Sequence, residues 1–202
     1  SWLSQIELVL EIAVKGMMNV IDACRENNIK ELYVASSSET YQTPETIPTP
    51  ETERLKVPDP LNPRYSYGGG KILWELLAIN FGRKYFEKVI IYRPHNVYGP
   101  DMGFEHVIPQ FCEKIHNLIQ ESLYDLKIQG DGSETRAFCY VEDAVRGIII
   151  VSENGSSGEI YHIGTDYEVT IRELARLISL QMNHETNIVS SSSLLISRRL
   201  AV

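Results

Sequence analysis

Glu31-Leu32-Tyr33-Val34-Ala35-Ser36-Ser37-Ser38-Glu39 starts as a short apolar run and ends in three hydroxyls and an acid. A run of that length, bounded by turn-forming serines, reads as a buried strand whose carboxyl end opens into a loop. Downstream stands Tyr67-Gly68-Gly69-Gly70-Lys71, at the start of a helical run over 66–86. A tyrosine four residues ahead of a lysine on a helix puts phenol and ammonium on one face. A cation beside a phenol favours the phenolate and lowers its pKa. Tyr67 is therefore predicted to transfer protons near neutral pH, tuned by Lys71. Ser37 is the candidate hydroxyl partner and Glu39 a candidate general base. Taken alone, the serines are also explained by turn chemistry, and Glu39 reads equally as a solvated loop carboxylate. Three consecutive glycines in a first helical turn cost about 2–3 kcal/mol relative to alanine. Close approach of a ligand or of backbone would account for them.

Working outward, Ile6, Val9, Leu10, Ala13, Met17, Val20, Ile21 and Cys24 predict a helix over 3–27 with one buried face. Pro44, Pro48, Pro50, Pro58, Pro60 and Pro63 forbid a helix or central strand across 42–63 and predict a long surface loop. Val89-Ile90-Ile91-Tyr92 reads as a second buried strand. A helix near 105–119 follows, then extended pieces at 125–129 and 136–141, a helix at 143–153 and a strand at Ile160-Tyr161-His162-Ile163. Thr170-Ile171-Arg172-Glu173 is a capping box opening a helix to about residue 182. From Asn183 no periodicity is visible, which predicts an irregular tail over 183–202. Helices alternating with buried strands predict the α/β class with a parallel sheet.

A net charge of −8 argues against nucleic acid or an anionic membrane as the main partner. No apolar run approaches the ~20 residues of a membrane span. Cys24, Cys112 and Cys139 are odd in number and lack metal-ligand spacing, which predicts reduced thiols in a cytoplasmic protein. His95 and His106 lack metal spacing as well, so no metal site is expected. In open α/β sheets the ligand crevice lies outside the carboxyl ends of the strands. Arg93-Pro94-His95-Asn96-Val97-Tyr98-Gly99-Pro100 reaches that edge, and Asn96 offers a sugar both a donor and an acceptor. Arg136 can clamp a diphosphate bidentately or make a surface ion pair.

Together these residues resemble the extended short-chain dehydrogenase/reductase family, and within it the NAD-dependent nucleotide-sugar epimerases and dehydratases, over about residues 7–180. The resemblance implies part of a Rossmann-like parallel sheet with flanking helices over 1–100. It implies a small α/β substrate-binding subregion over 101–182, with a returning sheet strand near 159–164. It implies NAD or NADP as cofactor and a nucleotide diphosphate sugar as substrate. Ser37, Tyr67 and Lys71 stand where the family keeps its Ser/Thr-Tyr-Lys triad. There the tyrosine takes a proton from a sugar hydroxyl while hydride passes to the nicotinamide. The lysine tunes the tyrosine and holds the nicotinamide ribose, and the serine supports the reacting hydroxyl. Ser37-Ser38-Glu39 is similar to the Thr-Ser-Glu of GDP-mannose dehydratases and UDP-glucuronate decarboxylases, implying Glu39 as a second acid/base and Ser38 as a substrate contact. The resemblance further implies a cofactor contact at Pro94, substrate contacts at Asn96, His106 and Val107, a diphosphate contact at Arg136, and a homodimer built from helices 3–27 and 66–86.

The chain departs from the family in lacking its Gly-x-x-Gly-x-x-Gly fingerprint and the acid that holds the adenosine ribose. Thr40-Tyr41-Gln42 stands where the family continues Val-Tyr-Gly. The expectation is thus a carboxyl-terminal part of an NAD(P)-dependent epimerase/dehydratase, with an unpaired edge beside the serine strand and weak or no NAD binding by these 202 residues. A catalytically inactive nucleotide-sugar-binding or interaction module is the alternative.

Overall fold

The computed structural model describes residues 6–191, which form two compact units. The first comprises the residues up to Val97 together with Cys139–Asp166, and the second comprises Tyr98–Phe138 and the residues from Tyr167 on. The strands are β1 (Glu31–Ala35), β2 (Lys88–Pro94), β3 (Val97–Tyr98), β4 (Asp125–Gln129), β5 (Thr135–Ala137), β6 (Cys139–Tyr140), β7 (Ile160–Ile163), β8 (Glu168–Thr170) and β9 (Asn187–Ser191). The α-helices are α1 (Ile6–Glu11), α2 (Met17–Glu26), α3 (Ser66–Tyr85), α4 (Val107–Glu121), α5 (Val141–Asn154) and α6 (Ile171–Gln181).

In the first unit a parallel sheet has the order β1-β2-β7, with Leu32 opposite Val89 and Tyr92 opposite Tyr161. Central β2 is buried from Val89 to Arg93, which is why its sequence runs apolar rather than alternating. Met17, Ile21, Leu32, Val34, Ala78, Val89 and Ile91 make one core cluster, and Ile90, Tyr92, Cys139, Ala144 and Ile163 make another. Because the strands are parallel, Ala35 and Pro94 finish at the same edge. Among the described residues β1 is an edge strand. Residues 42–62 form an irregular connection, as their prolines dictate, ending in a short 3-10 turn at Pro63–Tyr65.

The first helical segment is not one regular helix. A π-helical turn at Ile12–Gly16 separates α1 from α2. Ala13, Met17 and Ile21 are buried at four-residue spacing, whereas Leu10 and Val20, expected with the apolar set, are 43% and 49% exposed. The looser π turn shifts the helix face, and the Trp74 indole N–H of α3 donates to the Ala13 carbonyl within it at 2.7 Å. Gly70 faces the same place: a Cβ there would stand 2.9 Å from the Ala13 Cβ.

In the second unit β4 pairs with β9 in parallel and β5 with β8 antiparallel. Phe111 and Ile115 of α4, Leu126 and Ile128 of β4, and Leu174 and Ala175 of α6 form its core. The Thr170 hydroxyl caps α6 by accepting from the Glu173 N–H at 3.0 Å, as the capping box predicts. Strand β9 lies where the sequence suggests an irregular tail. Asn187–Ser191 lacks an apolar pattern, but Leu126 sits opposite Ile188, and the Ser191 hydroxyl donates to the Ile128 carbonyl at 2.8 Å. Backbone pairing and Arg172, which donates to the Ile188 carbonyl and the Ser190 hydroxyl, hold the strand. The rest of that tail, 192–202, lies outside the described residues, as do residues 3–5 of the first helix. Residues 139–166, which the sequence reading places mainly in the substrate region apart from a returning sheet strand near 159–164, cluster with the first unit, where β7 pairs with β2. No described helix is long and apolar enough to cross a membrane.

Candidate active site

The serines leave β1 as expected, and the turn they form is a single 3-10 turn, Ser38–Thr40. Ser37 caps it from extended backbone, its hydroxyl accepting from the Glu39 N–H at 3.2 Å. The buried Thr40 closes it, donating from Oγ1 to the Ser37 carbonyl at 2.9 Å.

The first turn of α3 lies against this turn. A Cβ on Gly68 would come within 2.6 Å of the Glu39 carbonyl oxygen and 2.5 Å of Gln42 Nε2. Backbone thus accounts for Gly68, and the neighbouring helix for Gly70. The close approach brings the Tyr67 phenol, 42% exposed, beside the Ser37 hydroxyl, near enough for that hydroxyl to pull its pKa down. Four residues on, Lys71 Nζ lies 5.7 Å from the Tyr67 ring centroid. It donates to the Ala35 carbonyl at 2.8 Å and sits 3.8 Å from the Trp74 ring centroid. Tyr67, Lys71 and Ser37 therefore converge at the carboxyl end of β1.

The electrostatics differ from the sequence expectation. Burial pushes the Tyr67 phenol above its ordinary pKa, the Ser37 hydroxyl pulls it down, and the Glu39 charge adds to the rise. Burial also holds the Lys71 ammonium below its ordinary value. Lys71 is turned onto the Ala35 carbonyl and the Trp74 face, and its charge does not offset the desolvation of the phenol. Glu39 is exposed, with its carbonyl accepting from Gln42 Nε2 at 2.5 Å. Ser38 is half-buried in the same turn.

Pro94 ends β2 opposite Ile163 of β7. Asn96 follows it with a positive φ of 37°, exposed, its carbonyl accepting from the Cys139 N–H at 3.2 Å. The other sequence-derived substrate contacts belong to the second unit. His106 is the extended residue before α4, and Val107 opens that helix. Arg136 is exposed on β5, its guanidinium donating to the Thr135 carbonyl at 2.7 Å. Among the described residues no cluster of metal-ligating side chains is found.

Behind the serine turn lies a polar network that sequence reasoning misses. Arg93 and Glu75, each 2% exposed, pair through Nε–Oε1 at 2.8 Å and Nη2–Oε2 at 2.6 Å. The Ser36 hydroxyl donates to Glu75 Oε1 at 2.5 Å. Arg93 Nη1 donates to the Tyr41 hydroxyl and, at 3.0 Å, to the Glu51 carbonyl. The Tyr41 hydroxyl lies 2.6 Å from His162 Nε2, and the His95 ring meets the His162 ring edge-on at 4.6 Å. Burial first, then His162 and Arg93, hold the His95 pKa down at about 4. Two signals pointed here: Glu75 continues the Tyr67, Lys71 face at the next four-residue step, and Arg93 interrupts an apolar strand.

Residues 1–164 match the model of the NAD dependent epimerase/dehydratase family. A human dTDP-D-glucose 4,6-dehydratase is 31% identical over 176 residues, covering 87% of this chain and 47% of that protein. The structure of DesIV, a dTDP-glucose 4,6-dehydratase from Streptomyces venezuelae solved with NAD, superposes with a TM-score of 0.77 at 26% identity, over 94% of this chain and 56% of that one. The structure of RMD from Pseudomonas aeruginosa, solved with NADPH, gives a TM-score of 0.78 at 25% identity, over 91% and 61%. The chain spans about half the length of the curated relatives it matches.

Proposed function

The chain belongs to the NAD-dependent epimerase/dehydratase family, and on that footing we propose that it carries the proton-transfer half of a nucleotide-sugar epimerase/dehydratase site. The observation that carries this reading is the Tyr67 phenol beside the Ser37 hydroxyl, on a helix turn packed against the serine turn, with Lys71 on the same helix face, at the carboxyl edge of a parallel sheet. Tyr67 takes the proton of a sugar hydroxyl as that carbon is oxidised to a ketone, and returns one when the ketone is reduced. Ser37 bonds the phenol oxygen and orients the same hydroxyl. Glu39, exposed beside the phenol, is the second acid/base for epimerisation or dehydration next to the ketone. Ser38, Asn96, His106, Val107 and Arg136 are the proposed contacts to the nucleotide diphosphate sugar.

A nicotinamide cofactor, NAD or NADP, supplies the hydride acceptor when bound. The residues present fit its ribose end: Lys71 Nζ has three protons and gives one to the Ala35 carbonyl, while Tyr67 and Pro94 stand at the same edge. They offer no glycine-rich turn for its diphosphate. The 202-residue chain should accordingly bind NAD weakly, and calorimetry giving sub-micromolar affinity would overturn that. We assign the protein to the cytoplasm on its free cysteines. Exposed Leu8 and Leu10 of α1, Ile12 and Val14 of the π turn and Leu76 of α3 support a homodimer, and the L10E/L76E double variant should sediment as a monomer.

Turnover tests the reading. With nucleotide diphosphate sugars and a saturating excess of NAD supplied to the purified protein, so that weak cofactor binding does not limit the parent rate, Tyr67→Phe should lower the rate by about 10²–10⁴ while leaving circular dichroism unchanged. A folded Y67F protein as fast as the parent ends the assignment. Sugar-nucleotide binding by thermal shift with no redox turnover would support an inactive binding module instead.

A further inference from the structure

We propose that the buried Arg93–Glu75 pair is a clamp on the Ser37–Thr40 turn, which makes Ser36, Glu75 and Arg93 positioning residues for the contact between the Ser37 hydroxyl and the Tyr67 phenol. The inference rests on the proposed use of Tyr67 and Ser37 as the proton-transfer pair.

The turn leaves the strand at Ser36 and ends at Tyr41, and the pair grips both places. On one side the Ser36 hydroxyl donates to Glu75 Oε1 at 2.5 Å. On the other, Arg93 Nη1 donates to the Tyr41 hydroxyl. The two halves are joined by the fork between guanidinium and carboxylate, at 2.8 and 2.6 Å. A fork of this kind fixes orientation as well as distance. Inside the grip, Thr40 ties back to the Ser37 carbonyl through its N–H at 3.2 Å and its hydroxyl at 2.9 Å. Nothing within the turn can move far while Ser36 and Tyr41 are held.

The helix side is equally constrained. Tyr67, Lys71 and Glu75 fall on one face of α3 at four-residue intervals. The phenol stands beside the Ser37 hydroxyl, the ammonium bonds the Ala35 carbonyl at 2.8 Å, and the carboxylate accepts from the Ser36 hydroxyl. Three consecutive strand-end residues thus meet three successive turns of one helix. The absent side chain at Gly68 lets the two backbones lie that close.

Energy alone is a poor reason for such a pair. Two buried charges forfeit so much hydration that apolar residues of similar volume often stabilise as well or better. What apolar residues cannot do is hold a serine hydroxyl and a tyrosine hydroxyl at fixed positions on either side of a turn.

The test reads Tyr67 directly and needs no turnover. Tyrosine ring-carbon NMR titration of the purified chain follows its phenol, assigned by comparison with Tyr67→Phe. A hydrogen bond to the ionised form lowers a pKa, so removing it raises the midpoint. Ser37→Ala sets the ceiling and should raise the Tyr67 midpoint by about half to one pH unit, the worth of one hydrogen bond. Ser36→Ala, which deletes one small hydroxyl and leaves the ion pair, should move it in the same direction by a measurable part of that amount. Glu75→Gln should move it further than Ser36→Ala where that variant folds. If Ser37→Ala shifts the midpoint while folded Ser36→Ala leaves it at the parent value, the pair is structural only and the inference fails with the proposed function intact. If Ser37→Ala itself changes nothing, the serine–tyrosine contact of the proposed function fails.

Discussion

Both units bury polar side chains, but they use them differently. In the first, Ser36, Thr40, Glu75 and Arg93 are each no more than 4% exposed. Their partners lie far apart in sequence: Arg93 reaches Glu75, Tyr41 and the Glu51 carbonyl, and Tyr41 reaches His162. In the second, the buried polar residue among those described is Ser179. Its hydroxyl donates to the His184 carbonyl at 2.5 Å and accepts from the Thr186 N–H at 3.0 Å, closing the loop that follows its own helix. The contrast teaches that burial of polarity has two purposes here. One stitches a local turn that any globular fold needs, and the other brings distant segments of the chain to the place where the candidate chemistry sits.

The largest effect should come from cutting the long-range network. Glu75→Ala strands a buried guanidinium, and leaving one partner of a buried ion pair uncompensated costs about 3–5 kcal/mol. Ser179→Ala in the second unit removes neutral hydrogen bonds and should cost about 1–3 kcal/mol. Urea unfolding of the two variants measures both. Equal losses would break the comparison, because the pair and the serine would then be worth the same.

Acid should separate the units next. His95 titrates at about 4 against an ordinary 6.5, because burial, His162 and Arg93 all oppose its charge. His162, packed against it, is also held low, by burial first, with Glu51 pulling it up and Arg93 down. The fold accommodates the neutral rings, so as pH falls the unfolded chain takes up protons first. Stability is fully present above about 6.5 and drains as pH falls toward 4, by up to about 3 kcal/mol from His95 alone. Amide protection factors of β2 and β7, which correct for the intrinsic slowing of exchange in acid, should therefore fall between pH 7 and 5 before those of β4 and β9. A His95→Asn variant should lose part of this pH dependence. Protection lost equally in both sheets would remove the histidine pair from the explanation.

How much of this was legible beforehand follows from where each contact is made. The juxtaposition of Tyr67, Lys71 and Ser37 could be read because a four-residue spacing and a strand end carry it. The network could not, because Tyr41 and His162 meet across 121 positions and nothing local marks either. Glu75 was readable in principle, as an acid on the Tyr67–Lys71 face within an apolar stretch. The direction of the Tyr67 pKa was not, since it depends on which way Lys71 turns. Strand β9 was missed because a parallel partner 62 residues away, not its own serine-rich pattern, makes it a strand. The exposure of Leu10 and Val20 reflects a π turn that no regular periodicity announces.

The smallest effect lies within one stretch of the first unit, and it tests whether the three glycines share a reason. At Gly68 an added Cβ would meet the Glu39 carbonyl oxygen at 2.6 Å, a backbone atom of the serine turn that cannot simply rotate away. Gly68→Ala should therefore cost about 1–3 kcal/mol as an overpacked contact, and it should push the turn away from Tyr67. At Gly69 the nearest atom is Val57 Cγ2 at 3.4 Å, an ordinary contact with a side chain of the irregular connection. There the helix gains the residue with the highest propensity, and Gly69→Ala should stabilise by up to about 1 kcal/mol. Opposite signs at adjacent positions would show that the turn, not a general demand for flexibility, fixes the sequence at the start of α3. If both variants shifted the urea midpoint the same way, close packing of the turn on the helix would cease to explain Gly68, and with it the approach that lets Tyr67 reach Ser37.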